Sequence, residues 1–142
     1  MGVQLAVFLE NRPGKLESIT KALAEAGVNI RGIAMASEGD FGVLKILADD
    51  PEKALRVLRD HHYTVSRRTV VVALIEDRPG GLHGLLATLA AENINIEDCY
   101  GIALEEGHRA AVVLDVERFP EAEAVLKSHG LRLLSDRELT SL

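Results

Sequence analysis

The 142-residue sequence is poor in the side chains that stabilise a fold covalently or stack on nucleic-acid bases. It has one cysteine, Cys99, which excludes an internal disulfide and any thiolate-rich metal site and is compatible with a reducing cytosol. It has no tryptophan, two tyrosines and three phenylalanines. Recognition of single-stranded nucleic acid depends on exposed aromatic rings, so this composition argues against an RNA-binding sheet.

Positive charge and long apolar runs are also scarce. The 16 basic residues are outnumbered by 22 acidic ones, so the net charge is −6 and nucleic acid is not an expected partner. No apolar run approaches the roughly 20 residues that cross a bilayer, and no basic segment precedes the first apolar stretch. We therefore expect a cytoplasmic protein without a membrane partner.

The sequence does contain an internal repeat, the feature that most constrains its fold. Residues 9–16, LENRPGKL, recur 66 positions later as IEDRPGGL at 75–82. Beyond the middle of each copy the offset is 68, which aligns His61 with His129. The two copies predict two domains, 1–67 and 68–142, joined by a short linker at residues 66–68.

Each copy predicts six elements in the order βαββαβ. Val3, Leu5 and Val7 alternate with their neighbours as in a half-buried strand, and residues 70–75 form the counterpart with both faces apolar. Leucines spaced three and four residues apart then predict a helix. Hairpins are predicted at 38–40 and 106–108. The fold class is therefore α+β, two ferredoxin-like units with antiparallel sheets and helices on one face. We expect the first and third strands of each unit to pair in parallel through right-handed crossovers.

The turn after each first strand is the candidate binding feature. Its Pro-Gly pair lets the backbone approach a small molecule, and the helix that follows presents unpaired N–H groups and the positive end of its dipole. Asn11 and Asn29 add donors and acceptors that suit the ammonium and carboxylate of a free amino acid, and Asp77 and Asn95 hold the same positions in the second copy. The structural alternative is that Asn11 and Asp77 cap helices and that Asn29 and Asn95 are turn residues.

The segment ENRPGKL at 10–16, followed by GVNI at 27–30 and repeated once, resembles the signature of ACT domains over essentially the full chain. The likeness is to free-standing tandem ACT proteins without a catalytic domain. It implies regulation by a small ligand, usually an amino acid, bound at the interface between ACT units, and a homodimer. The ligand-binding residues that it implies are Asn11, Arg12, Pro13, Gly14, Lys15, Leu16, Asn29, Ile30, Asp77, Arg78, Pro79, Gly80, Gly81, Leu82, Asn95 and Ile96.

Two departures from the family pattern affect the expected ligand. Serine-sensing members carry a histidine where Leu9 and Ile75 stand here, which argues against serine and favours an aliphatic side chain. Asp77 replaces the asparagine of the first copy, and an ionised carboxylate attracts an ammonium but repels a carboxylate. We therefore expect two unequal sites, one of them stronger.

The remaining signals support no metal, cofactor or catalytic group. His61 and His62 are adjacent, so on a helix their side chains point about 100° apart and cannot chelate one ion. An acylphosphatase-like enzyme would hold phosphate with Arg12 and Arg78, but the characteristic motif of that family is missing.

We therefore expect a non-enzymatic regulatory protein whose partners are a free amino acid and a regulated metabolic enzyme. Two alternatives stay open. One is the regulatory small subunit of acetohydroxyacid synthase, because those subunits sense valine through an ACT domain. The other is a dimerisation module without a ligand, or else an acylphosphatase-like enzyme.

Overall fold

The computed structural model describes residues 2–104 and 108–141 and divides the chain into two compact units. We call Val3–Arg68 the N-terminal unit and Thr69–Leu142, with Gly2, the C-terminal unit. The elements in chain order are β1 (Gly2–Glu10), α1 (Lys15–Glu25), β2 (Ile30–Glu38), β3 (Phe41–Ala48), α2 (Pro51–Asp60), β4 (Thr64–Glu76), α3 (Gly81–Ala91), β5 (Ile96–Ala103), β6 (Arg109–Val116), α4 (Phe119–Ser128), β7 (Arg132–Leu133) and α5 (Asp136–Thr140).

The N-terminal unit contains a sheet in the order β2-β3-β1. The expected parallel pairing of the first and third strands is wrong, because β1 pairs β3 antiparallel, with Leu5 opposite Ile46. The reason is the hairpin between β2 and β3, which makes β3 antiparallel to β2 as well. Helix α1 therefore joins two parallel strands, β1 and β2, and β3 lies between them.

The core of the N-terminal unit follows the predicted alternation. Leu5, Val7 and Leu9 are buried on one face of β1 and pack with Ile19 and Leu23 of α1. The spacing of these residues matches the period of a strand and of a helix, so each element buries a continuous apolar stripe. The predicted α+β class, with helices over an antiparallel sheet, is confirmed.

The C-terminal unit repeats this arrangement with β4, β6 and β5, and β7 also pairs antiparallel with β4. Val70, Val71, Val72 and Ala73 are all at most 1% exposed, which confirms that this strand is apolar on both faces. The core on the helix side of the sheet includes Leu89 and other residues of α3 and α4.

Two features of the structure differ from the sequence-based expectation, the segment 66–68 and the C-terminal helix α5. Residues 66–68 are not a linker but lie within the first half of β4, a thirteen-residue strand that no glycine or proline interrupts. Helix α5 was not expected; Ser135 and Glu138 form a capping box at its start. Residues 105–107, which contain most of the second predicted hairpin, lie outside the described residues. None of the helices described is long and apolar enough to span a membrane.

Candidate functional site

The loops after β1 and β4 begin their helices in an unusual way. Gly14 and Gly80 occupy the N-cap positions of α1 and α3 with φ of 85° and 88°, and no side chain caps either helix. Glycine reaches this left-handed conformation without the steric penalty of a Cβ atom. Asn11 and Asp77 are therefore not helix caps, and the structural alternative for these two residues is wrong.

Both loops leave backbone amides at the helix start without an acceptor. Ser18 N–H donates to Gly14 O at 3.0 Å, but the amides of Leu16 and Glu17 have no backbone acceptor in the described part of the chain. The second loop repeats this pattern, since Gly84 N–H donates to Gly80 O at 2.9 Å. Unpaired N–H groups at the positive end of a helix dipole favour a carboxylate.

The β2–β3 turn orients Asn11. Its side-chain Nδ2 donates to Gly39 O at 3.0 Å, and its backbone N–H donates to Asp40 O at 2.8 Å. In the second loop the backbone N–H of Asp77 donates to His108 O at 2.7 Å. The side-chain hydrogen bond that Asn11 donates from Nδ2 has no counterpart at Asp77, because an ionised carboxylate has no hydrogen to donate. The Asp77 carboxylate makes no hydrogen bond or ion pair within the described ranges, so the two loops present different groups at equivalent places.

Asn29 lies at the opposite end of the sheet from Asn11. Its backbone N–H donates to Asp49 Oδ1 at 3.0 Å, and Asp49 N–H donates to Asn29 O at 3.0 Å, just beyond the end of β3. The eight residues of β3 separate this point from the β2–β3 turn, which is about 25 Å at roughly 3.3 Å per residue.

The two asparagines of one copy are therefore too far apart to hold one zwitterion between them. The C-terminal unit gives the same result, because Asp77 and Asn95 flank opposite ends of the β5 and β6 pair. The predicted βαβ order already implies it, because a crossover helix returns the chain to the opposite end of the sheet before the next strand begins.

A cleft of about 390 Å³ opens beside the loop of the N-terminal unit. Its most exposed apolar surface is a pair of phenylalanines, Phe8 and Phe41, which stack with centroids 5.3 Å apart and are each 50% exposed. The lining residues are Phe8, Leu9, Glu10, Lys15, Phe41, His61, His62, Tyr63 and Thr64. The part of the cleft formed by residues 61–64 was not predicted from the sequence. The sequence did contain one indication of a cleft: Phe8 is an aromatic residue at a position of β1 whose side chain points away from the helices.

The comparisons with known proteins identify the repeat. The family model of the ACT domain pair matches residues 1–142. The chain belongs to this family. The resemblance found in the sequence is confirmed. No match was found among curated proteins.

Many solved structures are similar to this ACT domain pair, among them the following two. Protein BT0572 from Bacteroides thetaiotaomicron is 34% identical, with a TM-score of 0.93 over 99% of this chain and 96% of that one. The ligand-free regulatory subunit of aspartate kinase from Thermus thermophilus is 18% identical, with a TM-score of 0.69 over 91% of each chain. At that lower identity the likeness concerns the fold alone.

The arginines of the two ACT loops are engaged by their neighbours. Arg12 Nε donates to Glu10 Oε2 at 2.7 Å, and Arg78 pairs with Glu76 in the same way. A phosphate in either loop would compete with this carboxylate for the guanidinium. The arrangement therefore does not favour the acylphosphatase-like alternative.

Displaced pKa values occur on β5 of the C-terminal ACT unit, away from both loops. Burial, assisted by the charge of Asp98, raises the pKa of the Cys99 thiol and of the Tyr100 phenol. Both groups stay protonated at neutral pH, and a protonated thiol is a weak nucleophile. The surroundings of Cys99 therefore do not favour nucleophilic catalysis.

Proposed function

We propose that this ACT domain pair is a non-catalytic regulatory protein that binds a free amino acid at the loops after β1 and β4. The observation that carries the proposal is the pair of helix starts at Gly14 and Gly80, each with unpaired backbone amides. A carboxylate gains hydrogen bonds and a favourable dipole there. The similar protein from Thermus thermophilus, described as a regulatory subunit of aspartate kinase, supports a regulatory role.

The asparagines of the family signature enter the site from two different ACT units. Asn11 and Asn29 are about 25 Å apart within one unit, as estimated from the strand rise, so a single amino acid cannot touch both. We place the second asparagine in a second copy of the chain. Ligand binding then stabilises a dimer, and this is how binding would alter contact with a regulated enzyme.

The two loops bind with unequal affinity, because Asp77 carries a negative charge where Asn11 is neutral. A carboxylate near Asp77 is repelled, so the loop after β1 is the stronger site. Calorimetry of the wild type should show two affinities. Asp77→Asn should strengthen the weaker site and bring the affinities together. Equal affinities in the wild type, with binding unchanged in Asp77→Asn, would contradict this assignment.

The first experiment is thermal melting with each free amino acid at millimolar concentration. A ligand at 100 times its dissociation constant adds about 2.7 kcal/mol to the free energy of unfolding. A shift with a subset of amino acids supports the proposal. Absence of a shift with every amino acid would favour a dimerisation module without a ligand.

Variants of the asparagines then test the site. The Asn29 side chain makes no hydrogen bond within the described part of the chain and is exposed, so Asn29→Ala should abolish the ligand-induced shift and leave the ligand-free Tm unchanged. Asn95→Ala should act in the same way at its own site. The matched control is Asn93→Gly. Asn93 has a φ of 54° at the end of α3, where the first copy has Gly27, so glycine fits there and ligand binding should be preserved.

Two further outcomes would replace the proposal. Co-purification with a large synthase subunit would promote the acetohydroxyacid synthase alternative. Phosphate release from an acyl phosphate, lost in Arg12→Ala, would establish an enzyme.

A further inference from the structure

The cleft of the N-terminal ACT unit has no equivalent lining in the C-terminal unit. The repeat counterparts of Phe8, Lys15, Phe41 and His62 are Leu74, Gly81, Arg109 and Gly130. The second copy therefore lacks the aromatic pair, the lysine and one of the histidines. These differences in the lining indicate that the two units prefer different side chains on the amino acid that they bind.

The backbone of the second loop excludes a lysine at the equivalent place. A Cβ atom at Gly81 would lie closer than 3.0 Å to the carbonyl oxygen of Glu76, a distance that real Cβ atoms essentially never show. The first loop accommodates Lys15, which is half-buried and lines the cleft. Within the described residues, Lys15 has no carboxylate partner, so its ammonium is available to a ligand.

His62 adopts a backbone conformation that glycine usually provides. Its φ is 65°, whereas Gly130 takes the equivalent position in the second copy with a φ of 79°. A side chain in this left-handed region carries a conformational cost that glycine avoids. In the first copy His62 adopts this conformation despite its cost, and its imidazole lies in the lining of the cleft.

The cleft also offers groups for a ligand's ammonium. His61 Nδ1 lies 2.8 Å from Val57 O, and because a carbonyl only accepts, Nδ1 is the donor of this bond and Nε2 is left for another partner. Glu10 also lines the cleft; one of its oxygens accepts from Arg12 Nε at 2.7 Å, and the carboxylate has further lone pairs that an ammonium can use. With one lysine and one nearby carboxylate, the cleft suits a single carboxylate with an ammonium better than a polyanionic phosphate.

We propose that the N-terminal ACT unit binds an aromatic amino acid in this cleft, with its ring on the Phe8–Phe41 stack and its carboxylate at Lys15. The inference rests on the proposed function, since it names the ligand class of one of the two units. The volume of about 390 Å³ is near the lower end of the roughly 300–1,000 Å³ of small-molecule sites, which fits one amino acid. Stacked or edge-on ring contacts add to the area that the ligand's side chain buries.

The chain's lack of tryptophan provides a direct probe. When L-tryptophan is excited at wavelengths that tyrosine does not absorb, all emission comes from the ligand. Binding should shift this emission to the blue and raise its anisotropy. L-Phenylalanine and L-tyrosine should displace the probe, and L-leucine and L-serine should do so at least about tenfold less well, because they lack a ring. Tryptamine, without the carboxylate, and indole-3-propionate, without the ammonium, should both bind more weakly than tryptophan.

Variants assign the binding to the cleft. Lys15→Gln should weaken tryptophan binding by about tenfold or more, since a charge-assisted hydrogen bond is lost. Lys21→Gln is the matched control, because Lys21 is exposed on the same helix and does not line the cleft, and its affinity should equal that of the wild type. Phe41→Ala should weaken binding by about tenfold. Phe41→Leu should also weaken tryptophan binding. Because leucine retains apolar volume, this variant shows that weaker binding is not caused by misfolding.

The outcomes separate this inference from the function on which it rests. If leucine or another aliphatic amino acid stabilises the protein and aromatic ones do not, the aromatic assignment is overturned and the proposed function stands. If no amino acid binds, both are overturned. Equal affinity of wild type and Lys15→Gln, or of tryptophan and indole-3-propionate, would also overturn the assignment of an amino acid to this cleft.

Discussion

Two glycines in the first turns of α3 predict opposite effects of the same substitution. Gly84 has no heavy atom within 4 Å of the place where a Cβ would lie. Gly84→Ala should therefore stabilise the protein by about 1 kcal/mol, because alanine has the higher helix propensity and reduces the conformational entropy of the unfolded chain. Gly81 has no such room, since its Cβ would approach the carbonyl oxygen of Glu76 to less than 3.0 Å and its carbonyl carbon to 3.3 Å.

Gly81→Ala should destabilise the protein. The atoms that obstruct the new methyl group belong to the backbone, so the end of β4 or the start of α3 must shift, and overpacking of this kind costs about 1–3 kcal/mol. Thermal melting followed by circular dichroism measures both variants. At roughly 3 °C per kcal/mol for a chain of this length, Gly84→Ala should raise the Tm by about 3 °C and Gly81→Ala should lower it by about 3–9 °C.

The comparison of the two variants isolates the steric effect. Both place alanine in the same helix, so a general intolerance of α3 to substitution would lower both melting temperatures. A neutral or stabilising Gly81→Ala would refute the reasoning. It would mean that the second loop has room for a side chain, and the explanation for the missing lysine would fail.

Other predictions concern the two cores and the helix caps. Leu58→Ala and Leu126→Ala, at repeat-related positions that are 0% exposed, should each cost about 2–5 kcal/mol in urea unfolding, and a loss within ±0.5 kcal/mol of zero would be inconsistent with their burial. Asp50→Ala should cost about 1 kcal/mol, because the Asp50 side chain accepts from a backbone N–H in the first turn of α2, and Asp50→Asn should retain most of the stability. The hydrogen bond from Arg132, and after it the capping contacts with Ser135, lower the pKa of Glu138 in the folded state below its usual 4.5. The ionised carboxylate therefore stabilises the folded protein above pH 4.5. This contribution is lost as the pH falls through the lower pKa of the folded state. Glu138→Gln should therefore lower the Tm at neutral pH, and the difference should vanish in acid; a difference independent of pH would show that charge is not involved.

Much of the fold was predictable because it depends on local periodicity. Alternation at Leu5, Val7 and Leu9 and the leucine spacing of α1 are set by which face of each element is buried. The pairing direction of β1 and β3 was predicted wrongly, since it depends on how a hairpin and a crossover combine. Residues 66–68 were predicted to be a linker because Ser-Arg-Arg is polar. In the structure their backbone is part of the extended strand β4.

The candidate site was predictable as a loop but not as an arrangement of groups. The Pro-Gly motif indicated a close backbone approach, and Gly14 and Gly80 do start their helices with positive φ. The bond from Asn11 to Gly39 was not predictable, because it joins residues 28 positions apart. The same holds for the cleft, because His61 and His62, which directly follow α2, line it together with residues of β1 more than 50 positions earlier in the chain.

Sequence alone established that the chain is a duplicated βαββαβ unit, because a repeated pattern of apolar residues and turn glycines is a property of the order of residues. Tertiary structure alone decided which side chains meet. It brought Lys15 and the Phe8–Phe41 pair to one cleft. The physical reason is that side chains repeat about every 3.6 residues in a helix and every 2 residues in a strand, so the order of residues determines which face of an element is buried. Contacts between side chains depend instead on distances in space, which spacing along the chain does not encode.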